Sequence, residues 1–176
     1  GHLHMLNRQE DVITNTDGEI IYPRLVENEL KSSPYIQEAV CFGKDKPYMT
    51  AILNIDMNSV GRWADKNRIL YTEYSDLSRN PKVVELIEQQ VEQLISKLSP
   101  QNRVKKFSIL HKQFTADQGE LTRTLKIRRN FVEQKYKILL DGMYSNTQEV
   151  SLTSSQTESV EEEVSLRVIQ LKIEQG

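Results

Sequence analysis

An α+β domain is what this sequence predicts, and three observations carry the prediction. Short β-rich runs and helical stretches come in blocks, in the order strands, helix, hairpin, two helices, strand, helix, without the regular alternation of a doubly wound parallel sheet. The β-rich runs 38–42 and 49–55 flank Gly43-Lys44-Asp45-Lys46-Pro47, a hairpin connection. From Pro81 to Leu98, the apolar residues Val84, Ile87, Val91, Leu94, Ile95 and Leu98 form one helical stripe. Short mixed sheets and hairpins flanked by about four helices are therefore expected.

In chain order, Leu3–Leu6 and Val12–Thr14 suit short strands, broken at 7–11. Asp17-Gly18 separates the second from Glu19-Ile20-Ile21, a hairpin signal because both residues tolerate positive φ. Pro23 suits the first turn of a helix carrying Leu25, Val26 and Leu30, which Ser33-Pro34 ends. Asp56 or Asn58 can cap a helix presenting Val60, Trp63 and Ala64. Asn80 caps the 81–98 helix, Pro81 takes its first position and Pro100 follows its end. Phe107 and Ile109 then alternate with Lys106 and Ser108 as in a strand. The polar loop 112–125 leads into a helix expected from about Lys126 to Leu140. Beyond Met143 the chain turns rich in Ser, Thr, Gln and Asn, so 145–159 is expected to be a disordered linker. Residues 164–173 fit a strand or a helix equally. The division expected is a domain over 1–144 and a polar tail over 145–176.

The chain has 176 residues, enough to bury a real core, and 38% of them are hydrophobic. Cys41 is the only cysteine, which excludes a disulfide framework and suits a reducing compartment. No apolar run approaches a membrane span. A cytoplasmic location is expected, with peripheral membrane contact left open. The net charge of −2 is unevenly spread: residues 103–137 hold ten Lys/Arg against three Asp/Glu. That asymmetry points to a polyanion at one face, whether nucleotide, nucleic acid or anionic lipid.

Few side chains suggest chemistry by themselves. His2, His4 and His111 lack metal-ligand spacing, no metal site is expected, and His111 is expected at the surface. Cys41 and Trp63 fit a core better than a reactive site. Most informative is Gly119-Glu120-Leu121-Thr122-Arg123-Thr124-Leu125-Lys126-Ile127-Arg128-Arg129, a loop ending in a lysine. Such a lysine can meet a phosphate or carboxylate as a point charge.

Two motifs at opposite ends make a family resemblance. Arg8, Asp11, Gly18, Pro23 and Glu27 stand at the spacings of the hinge motif of adenylate-forming enzymes, the superfamily of acyl-CoA synthetases, luciferases and peptide-synthetase adenylation domains. Thr122-Arg123-Thr124-Leu125-Lys126-Ile127 is similar to that superfamily's last motif, built around a lysine. Ser33-Pro34-Tyr35-Ile36, Lys46-Pro47-Tyr48 and Phe114-Thr115 with Gly119–Thr122 resemble long-chain fatty-acid–CoA ligases in particular. The resemblance covers about residues 1–144. Asn7, Asp17 and Arg123 depart from the pattern, standing where Gly or Asp, a second Gly, and Pro are usual.

The resemblance implies a small mobile lid, the C-terminal domain of an ATP-dependent acid–thiol ligase, with the hinge motif at 7–27 and the lysine loop at 112–129. It implies that Lys126 is the adenylation lysine and that Asp11 is the hinge. Gly18 would let the pantetheine arm of CoA pass, or serve simply as a turn glycine. Arg8 would touch nucleotide, or pair with Glu10 or Asp11. Glu27 is expected on a helix surface, ordering the hinge loop. Arg103, Lys105, Lys106, Arg128 and Arg129 are candidates for the phosphates of ATP or CoA. The implied partners are fatty acid, ATP, CoA and an N-terminal adenylation domain, which would also bind any Mg2+. The fragment alone is expected to be inactive. The alternative is a stand-alone, non-catalytic module that binds CoA, nucleotide or nucleic acid through its basic segment. Nucleic acid is the less expected ligand, because Phe107, Phe114, Phe131 and Tyr136 do not interleave regularly with the basic residues.

Overall fold

The computed structural model describes residues 12–152 and 163–171. Arg8, Asp11 and the strand expected at Leu3–Leu6 lie outside them. The expected α+β architecture is found: short sheets, one of them mixed, with helices on both faces of the largest.

Strands β1 (Ile13–Thr14) and β2 (Ile20–Ile21) form the expected hairpin, pairing Ile13 with Ile21. Gly18 takes φ 77°, and the Asn15 carboxamide oxygen accepts from the N–H groups of Asp17 and Glu19 at 3.0 and 2.9 Å. Helix α1 (Pro23–Leu30) starts on Pro23, as expected. Strands β3 (Ile36–Phe42) and β4 (Met49–Ile55) pair antiparallel, while β4 and β5 (Val104–Ile109) pair parallel.

All seven residues of β4 are buried, because both faces of this central strand are covered. Along β3, Ala39 and Cys41 point into one core with Val26, Leu53, Ile87 and Val91, whereas Val40 and Phe42 point into another with Val132, Tyr136 and Leu139. The sheet thus separates two apolar layers, a three-layer arrangement set by strict alternation. Helices α1, α2 (Met57–Lys66) and α4 (Pro81–Ile95) supply the first layer. Helices α5 (Arg129–Lys135) and α6 (Lys137–Met143) supply the second.

Caps fall where side-chain chemistry puts them. Asp56 accepts from Ser59 N–H at 3.0 Å and Asn80 from Lys82 N–H at 2.8 Å. Helix α4 stops at Ile95, short of Leu98, and Arg103 reaches back to the carbonyls of Leu98 (2.9 Å) and Ser96 (3.2 Å). A further helix, α3 (Tyr74–Arg79), adds to the two expected between the hairpin and β5. The single helix expected over 126–140 is two, with the break at Tyr136 (φ −108°, ψ 28°) and the start at Arg129.

The tail is partly built into the domain. Strand β6 (Glu149–Leu152) pairs antiparallel with β7 (Val164–Arg167), so the linker expected over 145–159 is corrected for its described part. Its Val150 and Leu152 point into the second core and repay the ordering of a polar segment. Strand β8 (Ile169–Gln170) then joins the main sheet beside β5, in the order β3-β4-β5-β8. This cover explains Ser108, expected on a polar face. It is fully buried, and its hydroxyl donates to the Arg167 carbonyl at 2.8 Å.

Candidate functional site: a braced lysine hairpin

Lys126 does not begin a helix. It lies in a tight hairpin whose arms meet at Leu121 and Ile127. Leu125 N–H donates to the Thr122 carbonyl (2.9 Å) and Thr122 N–H to the Lys126 carbonyl (2.8 Å). The Thr122 hydroxyl oxygen accepts from Lys126 N–H at 3.1 Å and lies 3.1 Å from the Thr124 hydroxyl. Leu125 sits at φ 64°, in the left-handed region. A hydrogen-bonded turn from Thr122 to Leu125, ending in that one left-handed residue, matches the three-residue hairpin connection. Lys126 is exposed, and no hydrogen bond or ion pair engages its amine among the described residues.

The base of that hairpin is fixed by a carboxylate with no solvent exposure. Glu120 receives Lys112 and Lys135, each at 3.2 Å, together with Thr115 N–H at 3.0 Å and the Tyr136 hydroxyl. Its own carbonyl accepts from Arg128 N–H at 2.9 Å, which closes the hairpin below the lysine. Burial lowers the pKa of Lys112, an effect that Glu120 opposes and Lys135 reinforces. Gly119, at φ 82°, must be glycine, because a Cβ there would stand 2.8 Å from the Phe131 ring.

A second buried carboxylate fixes the far arm. Glu27 is 8% exposed, not a surface residue of α1 as expected. The Arg129 guanidinium grips it through both nitrogens, one of them at 3.0 Å, and also donates to the Cys41 carbonyl at 2.8 Å. Glu27 in turn accepts Cys41 N–H at 2.7 Å. Helix α1, the strand β3 and the residue three places after Lys126 are therefore one hydrogen-bonded unit. Burial, together with Glu27, pushes the Cys41 thiol pKa up, as fits a core cysteine.

Other predicted residues are dispersed. Gly18 stands at its turn with open space around its Cα, on the hairpin that lines a groove of about 450 Å³ with Tyr48, Arg103 and Lys105. Thr14 and Thr16 tie that hairpin to Asp45 and Lys46 through backbone bonds of 2.9 and 3.0 Å. Much of the basic stretch is spent inside the domain. Lys106 donates to Ser145 O and Arg128 to Gly119 O, while Lys112, Arg129 and Lys135 hold the two buried carboxylates. His111 is half-buried, not at the surface, and burial beside Lys112 and Arg79 lowers its pKa to about 4, so it is neutral near pH 7. Glu27 and Glu120 carry the structure of the site, and sequence reasoning gave neither a buried role. The sequence signal for Glu120 is its place in the Gly119–Thr122 run.

Comparison with known proteins settles what the fold is. The family model described as AMP-binding enzyme C-terminal domain matches residues 10–148. The chain belongs to that family. This AMP-binding C-terminal domain is 30% identical over 146 residues to the long-chain-fatty-acid–CoA ligase FadD15 of Mycobacterium tuberculosis, covering 82% of the chain and 24% of the ligase. It is 25% identical over 178 residues to the long-chain-fatty-acid–CoA ligase ACSBG2 of Gallus gallus, covering 91% of the chain and 23% of the relative. The chain thus spans about a quarter of the length of the curated relatives it matches. Among solved structures, the adenylation domain of a carboxylate reductase from Mycobacterium chelonae superposes with TM-score 0.62 at 20% identity, covering 79% of this chain and 20% of that one. The adenylation domain of the Segniliparus rugosus carboxylic acid reductase gives TM-score 0.62 at 18% identity, covering 79% of this chain and 20% of that one, and shows the same fold. No helix among the described residues is long and apolar enough to cross a membrane.

Proposed function

We propose that this AMP-binding C-terminal domain is the mobile lid of an ATP-dependent long-chain fatty-acid–CoA ligase, and that Lys126 serves its adenylation step. The observation that carries this reading is an exposed lysine amine, unengaged among the described residues, in a hairpin braced by two buried carboxylates. In the first half-reaction a fatty-acid carboxylate oxygen attacks the α-phosphorus of ATP, forming acyl-adenylate and expelling pyrophosphate. Both reactants are anionic, so an ammonium placed between carboxylate and phosphate lowers the barrier. In the second, the thiol of CoA adds to the acyl carbonyl and AMP leaves with the bonding electron pair.

The two steps need different groups near one centre, which a rotation about Asp11 supplies in this reading. Gly18 and the groove beside Arg103 and Lys105 are the features assigned to CoA. An N-terminal adenylation domain supplies the remaining site and any Mg2+. The reading of the chain as a free-standing polyanion binder has less support, because so many cations of its basic stretch are engaged internally.

Half-reactions measured on the intact enzyme test this. Lys126→Ala should lower adenylation by roughly 100-fold or more, while thioester formation from supplied acyl-adenylate is retained. Equal loss in both steps would remove the role given to Lys126. Asp11→Pro should stall the second step and leave adenylation largely intact, and an unchanged second step would count against the hinge.

A further inference from the structure

The turn before Lys126 holds a residue that its backbone disfavours. Leu125 occupies the left-handed position of the hairpin connection, at φ 64°, where a glycine would be unstrained. A branched side chain is costly there, and strain of this kind persists where something else repays it. Among the described residues the hairpin's own backbone bonds, Leu125 N–H to the Thr122 carbonyl and Thr122 N–H to the Lys126 carbonyl, offset part of it, while the Leu125 side chain is 65% exposed. Its neighbours Thr122, Arg123 and Thr124 are all exposed and polar, so the leucine is the sole apolar group at the tip. The leucine side chain has no hydrogen bond to offer. What it can gain is burial against apolar surface outside this domain.

We propose that Leu125 is the docking anchor of the hairpin. In the adenylating pose it seats in an apolar recess of the adenylation domain and thereby fixes how far Lys126 enters the site. The inference rests on the lid reading above, and the occupant follows from the relatives, of which this chain spans about a quarter. Leu125 is a positioning residue here, acting through Lys126, and it touches neither ATP nor the fatty acid.

Leu125→Gly removes the apolar side chain and relieves the strain together, so a loss of adenylation without a loss of stability reads the anchor. In the intact enzyme that variant should unfold at a Tm no lower than the parent's. It should lose adenylation by roughly tenfold or more and keep thioester formation from supplied acyl-adenylate. Leu125→Met keeps an apolar side chain and should stay within a factor of about three of the parent. Docking is read independently by trypsin, which can cut after Arg123 in the exposed hairpin. A non-hydrolysable acyl-adenylate analogue should protect that bond in the parent and in Leu125→Met, but not in Leu125→Gly. Undiminished adenylation and protection in Leu125→Gly would overturn the proposal, as would equal losses in the Gly and Met variants. If Lys126→Ala adenylates normally while the analogue's protection still depends on Leu125, the anchor stands and the assignment of the lysine falls.

Discussion

Glu27→Ala should destabilise the domain by about 3 kcal/mol, since a half-buried guanidinium loses its carboxylate counter-ion. Arg129 would lose its bidentate partner, and Cys41 N–H would lose its acceptor as well. Arg129→Ala should cost a similar amount by leaving the Glu27 carboxylate, only 8% exposed, without its guanidinium partner. Replacing both with leucine and methionine should recover most of the loss, because a buried ion pair gains little over well-packed apolar groups. Urea unfolding of the three variants checks this. Single losses below about 1 kcal/mol would mean that the pair behaves as a surface contact and does not join α1 to α5.

Removing the other carboxylate should have an effect of similar size with a distinct pH signature. In Glu120→Ala, Lys112 and Lys135 face each other without a counter-ion, and Thr115 N–H loses its acceptor. A cost of about 3 kcal/mol near pH 7 is expected. Burial already lowers the Lys112 pKa from 10.5, and Glu120 is the partner that opposes the shift. Without it the folded-state pKa falls further below the unfolded value. Between those two pKa values the unfolded chain binds more protons, so stability rises with pH. The penalty is greatest below the folded pKa and shrinks as pH climbs toward 10.5. The gap between variant and parent unfolding midpoints should therefore narrow from pH 7 to pH 10. A gap independent of pH would mean that the lysines escape to solvent and that the loss is one of packing.

The parts of this fold legible in the sequence are those where a period repeats several times or a cap has its own chemistry. The stripe of α4, its Asn80-Pro81 start and the β3–β4 hairpin are of this kind. Helix α3 has only Tyr74 and Leu77 to mark its face, and six residues cannot display a helical period. Strand β6 offers a four-residue alternation, Glu149-Val150-Ser151-Leu152, inside a composition that predicts disorder. Tertiary cover from the second core overrides that composition. The sequence draws attention to Lys126 but does not show its setting. The apolar pattern after it continues into α5, whereas the left-handed Leu125 and the Leu121–Ile127 bridge hold Lys126 three residues short of the helix. The bracing carboxylates were the hardest to see. Glu27 and Arg129 lie 102 residues apart, and nothing local in either sequence neighbourhood reveals the other.

Strand β8 bears on any exchange of this domain between enzymes. The match to the family ends at residue 148, yet β5 borrows its outer neighbour from residues 169–170, with Leu171 N–H on the Lys105 carbonyl at 2.9 Å. A transplant cut at the family boundary would strip one margin of the sheet and uncover the row of backbone donors and acceptors beside Phe107. Such margins recruit other chains. Chimeras should therefore carry the donor's residues through Leu171, or replace that segment with a strand of the recipient's own, if they are to remain monodisperse.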